Sequence, residues 1–330
     1  MRVLVTGASG LLGREVARLL VSQGHAVTTF QRRPSRVDGA ADFCGSVTDD
    51  EAVSAAVQGA EGIIHLAAKV SFTGHAAEFD EVNVEGTRRL LRSARAAGVR
   101  DFVFVSSPSV ANSGAAIAGL GAEPADPQHA HGDYSRTKAE AELLALAADA
   151  PEFRVAAVRP HIVWGPGDTQ LVERVLERAR RRRLPLLDSG AALIDTTYVD
   201  NAASAIVAAL HRMEHVHGRA LVVSNGEPRP VGELLAGICA AGGAPAPSWS
   251  VPGRVARAAG AVVEKLWTWA GRKEEPPMTR FLAEQLSTAH WFDQRETREL
   301  LDWTPAVSLD EGLARLAEHY GSRPRDPSPN

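Results

Sequence analysis

Tyr134 and Lys138 lie four positions apart at the start of a helical pattern, Ser135 to Ala148. Four residues make about one turn, so the phenol and the ammonium project from one face. A phenol with an ordinary pKa of about 10 relays protons poorly at neutral pH. An adjacent cation favours the phenolate and so tunes the phenol for proton exchange with a substrate oxygen. Such a pair is common by chance. It gains weight from Ser106 and Ser107, which end the apolar run Phe102 to Val105 and offer hydroxyls to the same oxygen.

A second constellation lies upstream. Gly7-Ala-Ser9-Gly10-Leu11-Leu12-Gly13 follows the first apolar run and opens the first helical pattern. Glycines there permit a tight turn, let backbone N–H groups approach a pyrophosphate and seat helix on strand, while the helix N-terminus favours an anion. The next apolar run ends Thr29-Phe30-Gln31-Arg32-Arg33. An NAD site places Asp or Glu here for the adenosine ribose; two arginines suit a 2′-phosphate instead. NADP(H) is therefore favoured over NAD(H), the competing reading being a solvated basic turn.

These groups need a scaffold, and the pattern supplies one. Near-continuous apolar runs at Val3 to Val5, Ala26 to Phe30, Gly62 to Ala67, Phe102 to Val105, Val155 to Val158 and Ala220 to Val223 fit strands covered on both faces. Helical patterns lie between them at Leu11 to Gln23, Asp50 to Gln58, Glu85 to Ala97 and Ser135 to Ala148. This alternation predicts an α/β fold, a doubly wound parallel sheet of Rossmann type. Past Pro166 the rhythm breaks. Residues 227–320 hold five of the six tryptophans. The expected division is 1–165 plus 199–224 for the dinucleotide domain, 166–198 plus 225–320 for a smaller, mainly C-terminal substrate lobe, and 321–330 as a tail.

The motifs resemble those of the extended short-chain dehydrogenase/reductase superfamily over nearly the whole chain. In order they are Gly7 to Gly13, His65-Leu66-Ala67-Ala68, Asn83 to Thr87, Ser106 to Val110, Tyr134 to Lys138 and Arg159 to Pro166. Gly165 to Asp168, Asp195 to Asn201, Ser224 to Pro228, Pro277 to Arg280 and Trp291 to Asp293 are similar to the 3β-hydroxysteroid dehydrogenase/isomerase branch. The resemblance implies Ser107 as the hydroxyl holding the substrate oxygen, with Ser106 and Ser109 its competitors. It also implies Tyr134 as acid/base, Lys138 as its modulator and ribose anchor, and Asn83 as the close of a proton relay. Pro160, Ile162 and Val163 would line a nicotinamide, and Leu66, Ala67, Ala68, Ser46 and Val47 would contact the cofactor. Ser46 departs from the family's usual Asp, which puts the adenine contact in question. The implied activity is NADP-dependent interconversion of a ketone and a secondary alcohol on a hydrophobic substrate. A 2-alkyl-3-ketoalkanoate, as in bacterial olefin biosynthesis, comes first, and a 3β-hydroxysteroid or sterol-4-carboxylate second. A dinucleotide-binding sensor without turnover is the reading from another class, and an intact Ser107, Tyr134 and Lys138 speaks against it.

Other signals carry less. The chain has 330 residues, 45% of them hydrophobic, and 36 Lys+Arg against 40 Asp+Glu. That composition belongs to a globular chain with no nucleic-acid footprint. Cys44 and Cys239 form no disulfide framework or metal spacing, and with no apolar span this reads as a cytoplasmic protein. His211, His215 and His217, and Arg180 to Arg183, fit helix ends, where cations are favoured, so no metal is expected. Arg254 to Lys273 is amphipathic, through Val255, Ala258, Ala259, Val262, Val263, Leu266 and Trp267. It fits core packing, a cleft cover or a peripheral contact with lipid or a pathway enzyme. A homodimer through Glu85 to Ala97 and Ser135 to Ala148 follows from the family likeness.

Overall fold

The structure, a computed structural model, describes residues 1–71, 74–111, 114–269 and 280–322. Residues 277–279 of the Pro277 to Arg280 motif, the end of the Arg254 to Lys273 segment and most of the expected tail lie outside them, as do the side chains of Leu266 and Trp269.

Seven strands form the central sheet: β1 (Arg2–Thr6), β2 (Ala26–Gln31), β3 (Ala41–Cys44), β4 (Gly62–His65), β5 (Asp101–Val105), β6 (Arg154–Pro160) and β7 (Ala220–Val223). Their spatial order is β7-β6-β5-β4-β1-β2-β3, and every pairing is parallel. Six of the seven match the apolar runs read from sequence. β3 does not, because it is a short edge strand with three of its four residues exposed and so lacks the doubly buried signature.

The helices used below are α1 (Leu11–Ser22), α2 (Asp50–Ala56), α3 (Gly86–Ala96, preceded without a break by the π-helical Asp80–Glu85), α4 (Gly132–Ala147), α5 (Val172–Arg180), α6 (Val199–His211) and α7 (Val231–Ala241). α1 buries Gly13, Val16, Ala17 and Leu20, one stripe at helical spacing, against the sheet beside α6. The opposite face of the sheet is closed by α2, α3 and α4 around Phe30, Leu90, Phe102 and Phe104. Each such buried side chain contributes about 1.5–3 kcal/mol. α2 is started by Asp49, whose carboxylate accepts from the N–H groups of Glu51 and Ala52.

A third cluster joins Trp164, Leu176, Ile194, Tyr198, Leu235, Ile238, Val307 and Leu316, outside the sheet. Beside it lies a small four-stranded sheet in the order Arg229–Pro230, Leu193–Ile194, His290–Phe292, Ile117–Leu120. Its last strand comes from the first half of the chain, a contribution the alternation pattern did not indicate. On the helix Gly253–Trp269, Val255 and Val262 are more than half exposed, so core packing does not explain that stripe.

Candidate active site

The strand order reverses between β1 and β4, and in open α/β sheets this switch point is where ligands bind, beyond the carboxyl ends of the strands. Gly7 leaves β1 with a φ of +78°, a conformation natural to glycine, and a side chain there would meet the Ala67 nitrogen at 2.8 Å. Gly13 sits so close that a Cβ would lie 2.5 Å from the Gly7 carbonyl oxygen. Gly10 differs: it is exposed, and an added Cβ would make only ordinary contact with the Gly7 oxygen. Two glycines seat the helix, and the third keeps the surface open. α1 has no side-chain cap and no acid in its first turn, so its N–H groups face outward for an anion. Ser9, Leu11 and Leu12 lie on this rim, and Arg14 donates to the Ser9 carbonyl at 3.2 Å. A dinucleotide fits this cradle.

The adenosine end has a built support that sequence reading missed. Asp42 on β3 accepts from Thr29 Oγ1 at 2.6 Å, Gln31 Nε2 at 2.9 Å and the Ser35 N–H at 2.9 Å. Those bonds, the Thr29 hydroxyl first, hold its carboxyl below the usual range. They fix the turn between β2 and β3, from which Arg32 and Arg33 project as exposed side chains. Ser46 turns to Thr48, 2.8 Å away, and Val47 is buried against Gly86.

Below the switch point runs a chain of buried polar groups. Thr6 Oγ1 accepts from the N–H groups of Leu66 and Ala67 and lies 2.7 Å from His65 Nδ1; His65 Nε2 lies 3.1 Å from Thr87 Oγ1, which donates to the Asn83 carbonyl at 2.6 Å. The network is satisfied when Thr6 donates to Nδ1 and Nε2 carries the imidazole proton. Burial, with the Lys138 charge behind it, lowers His65 to about 3 and keeps it neutral. Sequence reading noted His65 and Thr87 only as motif members; a buried His between two threonines was the available signal.

The catalytic candidates converge at the end of β5. Ser107 is turned toward Tyr134, and its hydroxyl lies 3.0 Å from Ser109 Oγ. The Ser106 hydroxyl is buried with no partner and takes no part, so Ser107 is the serine that meets the phenol. Withdrawal from water pushes Tyr134 up to about 12, the Ser107 bond pulling the other way. Lys138, one turn on, is buried; its Nζ donates to the Val105 carbonyl at 2.6 Å and sits 4.0 Å over the Phe104 ring. Desolvation lowers it to about 7, against the pull of Glu142. Glu142 is held by Arg159 through Nε at 2.8 Å and Nη2 at 2.5 Å, both residues 1% exposed.

Asn83 is the residue that the family likeness implies as the close of a proton relay. It lies in the π-helical stretch, a distortion common at functional sites. Its Oδ1 accepts from the Lys69 N–H at 2.7 Å and its Nδ2 donates to the Lys69 carbonyl and to Thr137 Oγ1. Its side chain clamps the chain that leaves β4.

The opposite wall is the segment after β6. Pro160 is buried, Ile162 and Val163 are partly so, and Ile162 has a φ of +44°, strained for a β-branched residue. The strain is held by the Thr197 N–H on the Ile162 carbonyl and by the His161 N–H on Val223. His161 is lowered to about 3, chiefly by burial, its Nδ1 2.6 Å from the Asp195 carbonyl. Among the described residues no cluster of three metal-ligating side chains occurs. His211 stacks on His25, and His217 pairs with Asp149.

The chain is 40% identical to the 2-alkyl-3-oxoalkanoate reductase of Stenotrophomonas maltophilia over 96% of this chain and 98% of that one. It is 30% identical to the 3-beta-hydroxysteroid dehydrogenase of Mycolicibacterium neoaurum, covering 97% and 90%. Among solved structures, MoeE5 in complex with UDP-glucose and NAD superposes with a TM-score of 0.74 at 25% identity, over 97% of this chain and 98% of that one. Residues 3–224 match the NAD dependent epimerase/dehydratase family, and it is to this family that the chain belongs.

Proposed function

We propose that the protein is an NADP-dependent reductase that interconverts a 2-alkyl-3-ketoalkanoate and its 3-hydroxy counterpart. The observation that carries the ketone/alcohol chemistry is the pairing of Ser107 with Tyr134 one helical turn from the buried Lys138, at the mouth of the dinucleotide cradle. The bound nicotinamide would supply the hydride. Ser107 and Tyr134 hold the carbonyl oxygen, and the phenol, protonated at neutral pH, gives its proton to that oxygen as the alcohol forms. Lys138, when ionised, stabilises the phenolate left behind. The Gly10 surface and the first turn of α1 would hold the pyrophosphate, Arg32 and Arg33 the 2′-phosphate, and Pro160 to Val163 the nicotinamide face.

The substrate reading draws on the relative that reduces 2-alkyl-3-oxoalkanoates, the more similar of the two named above. It also draws on a lobe whose core is apolar. The lobe division at 1–165 plus 199–224, a homodimer through α3 and α4 and a reducing, cytoplasmic setting belong to the same proposal. Leu143, exposed on α4, and the free thiols Cys44 and Cys239 support the last two.

A free 3-keto acid loses carbon dioxide readily, so the assay runs in reverse, oxidising 2-alkyl-3-hydroxyalkanoic acids with NADP and reading NADPH absorbance. Each added methylene contributes about 0.8 kcal/mol, so kcat/KM should rise about fourfold per CH₂ until the cleft is filled. Inert acids beside oxidised 3β-hydroxysterols would transfer the assignment to steroids; the relative at 30% identity makes that the second reading.

A further inference from the structure

Two buried charges near the active site take no part in the steps above. Glu142 follows Lys138 by one turn on the buried face of α4, and both side chains are almost fully withdrawn from solvent. A carboxylate there is the natural partner for the ammonium. The ammonium instead donates to the Val105 carbonyl, over the Phe104 ring. Both Glu142 oxygens are taken by the Arg159 fork, at 2.8 and 2.5 Å, and Arg159 Nη1 is anchored on the Glu123 carbonyl at 2.7 Å. A buried ion pair stabilises little compared with apolar side chains of the same volume, so packing alone gives no reason for it.

We propose that Arg159 is a positioning residue: by occupying both oxygens of Glu142 it keeps that carboxylate from capturing Lys138 and leaves the ammonium on the Val105 carbonyl at the end of β5. This rests on the reading of Tyr134 and Lys138 as the catalytic pair. The groups that face Lys138 are Glu142 on α4, His65 on β4, the Phe104 ring and Val105 carbonyl on β5 and, behind Glu142, Arg159 on β6. His65 stays neutral, so Glu142 is the carboxylate that can compete.

The chain has four lysines, Lys69, Lys138, Lys265 and Lys273, so [13Cε]lysine labelling gives four signals, and Lys138→Met assigns one. Wild-type Lys138 should titrate at about 7. Arg159→Met frees Glu142 for Lys138; the transition should rise by about one to three pH units, and kcat should fall at least about tenfold. Arg159→Met combined with Glu142→Gln removes the competitor along with its restraint, so both the transition and the turnover should return toward wild type. A purely structural role predicts no such rescue. An unchanged transition in Arg159→Met, or a double variant no better than the single, overturns the inference. If Arg159→Met does not fold, Arg159→Lys, whose single ammonium cannot hold both oxygens, should shift the transition upward by a smaller amount. No shift there, or a double variant that does not fold, overturns it equally. The titration needs neither substrate nor cofactor: a shifted and rescued Lys138 beside inert ketones defeats the substrate reading alone, and active ketones beside an unshifted Lys138 defeat this inference alone.

Discussion

Tyr134 shows how burial and hydrogen bonding divide the work within a single side chain. Leaving water keeps the phenol protonated, which suits it to give a proton to a developing alkoxide, while Ser107 holds it in line. Tyr134→Phe keeps the ring and removes the proton. Turnover should fall by about 10²-fold or more, with NADPH affinity unchanged by fluorescence titration; near-wild-type kcat would take Tyr134 out of the role. The arginines make a separable case, because they lie at the far end of the cofactor cradle. Replacing Arg32 and Arg33 by Gln should cost about 1.5–3 kcal/mol per lost phosphate bond and weaken NADPH binding while NADH binding stays level. A wild-type protein that prefers NADH would reduce them to a solvated turn. Tyr134, Lys138 and the serine pair were legible from spacing. The choice of Ser107 over Ser106 came from the family likeness and not from spacing, because both follow the same strand and only the backbone there decides which hydroxyl turns outward. Asn83 was legible as a residue and its setting was not, since a π-helical turn leaves no mark on hydrophobic periodicity.

At the level of elements, the junction of β1, Gly7 to Gly13 and α1 separates glycines that build from a glycine that binds. Gly13→Ala puts a methyl 2.5 Å from a backbone oxygen that cannot move without shifting β1, so it should destabilise by about 1–3 kcal/mol. Gly10→Ala meets only ordinary contacts, so urea unfolding should stay at the wild-type midpoint while NADP affinity falls at least tenfold, the methyl standing where the pyrophosphate must approach. Equal loss of stability in both would show that the loop has no open face. The six strands with continuous apolar runs were legible because two buried faces leave no alternation. β3 and Ile117–Leu120 were not: each is a short edge strand whose partners are chosen by tertiary packing. The Asp42 clamp was hidden for the same reason, since only the pairing of β3 with β2 brings that carboxylate to Thr29 and Gln31.

Across the whole molecule, three buried histidines tie stability to pH. His65 lies beneath the switch point, while His161 and His290 lie where the sheet meets the small lobe, their rings edge to face 6.1 Å apart. Burial lowers the first two to about 3 and His290 to about 4, whereas the unfolded chain would protonate each near 6.5. The sign follows from proton counts. Below 6.5 the unfolded chain holds more protons than the folded one, so the stability contributed by these neutral rings is complete above that pH and drains away as pH falls toward 4 and 3. Asp168 and Asp195, pushed up by burial, work the other way. Between pH 7 and 5 each histidine accounts for about 1–2 kcal/mol of the loss. Urea midpoints should drop steeply over that interval. His290→Leu isolates one of the three, because its Nδ1 is buried without a partner and an apolar side chain there loses the Thr288 hydrogen bond and the ring contact with His161. The variant should flatten the pH dependence by about a third and be the more stable protein at pH 5; a slope equal to wild type would show that His290 protonates in the fold as freely as it does outside it.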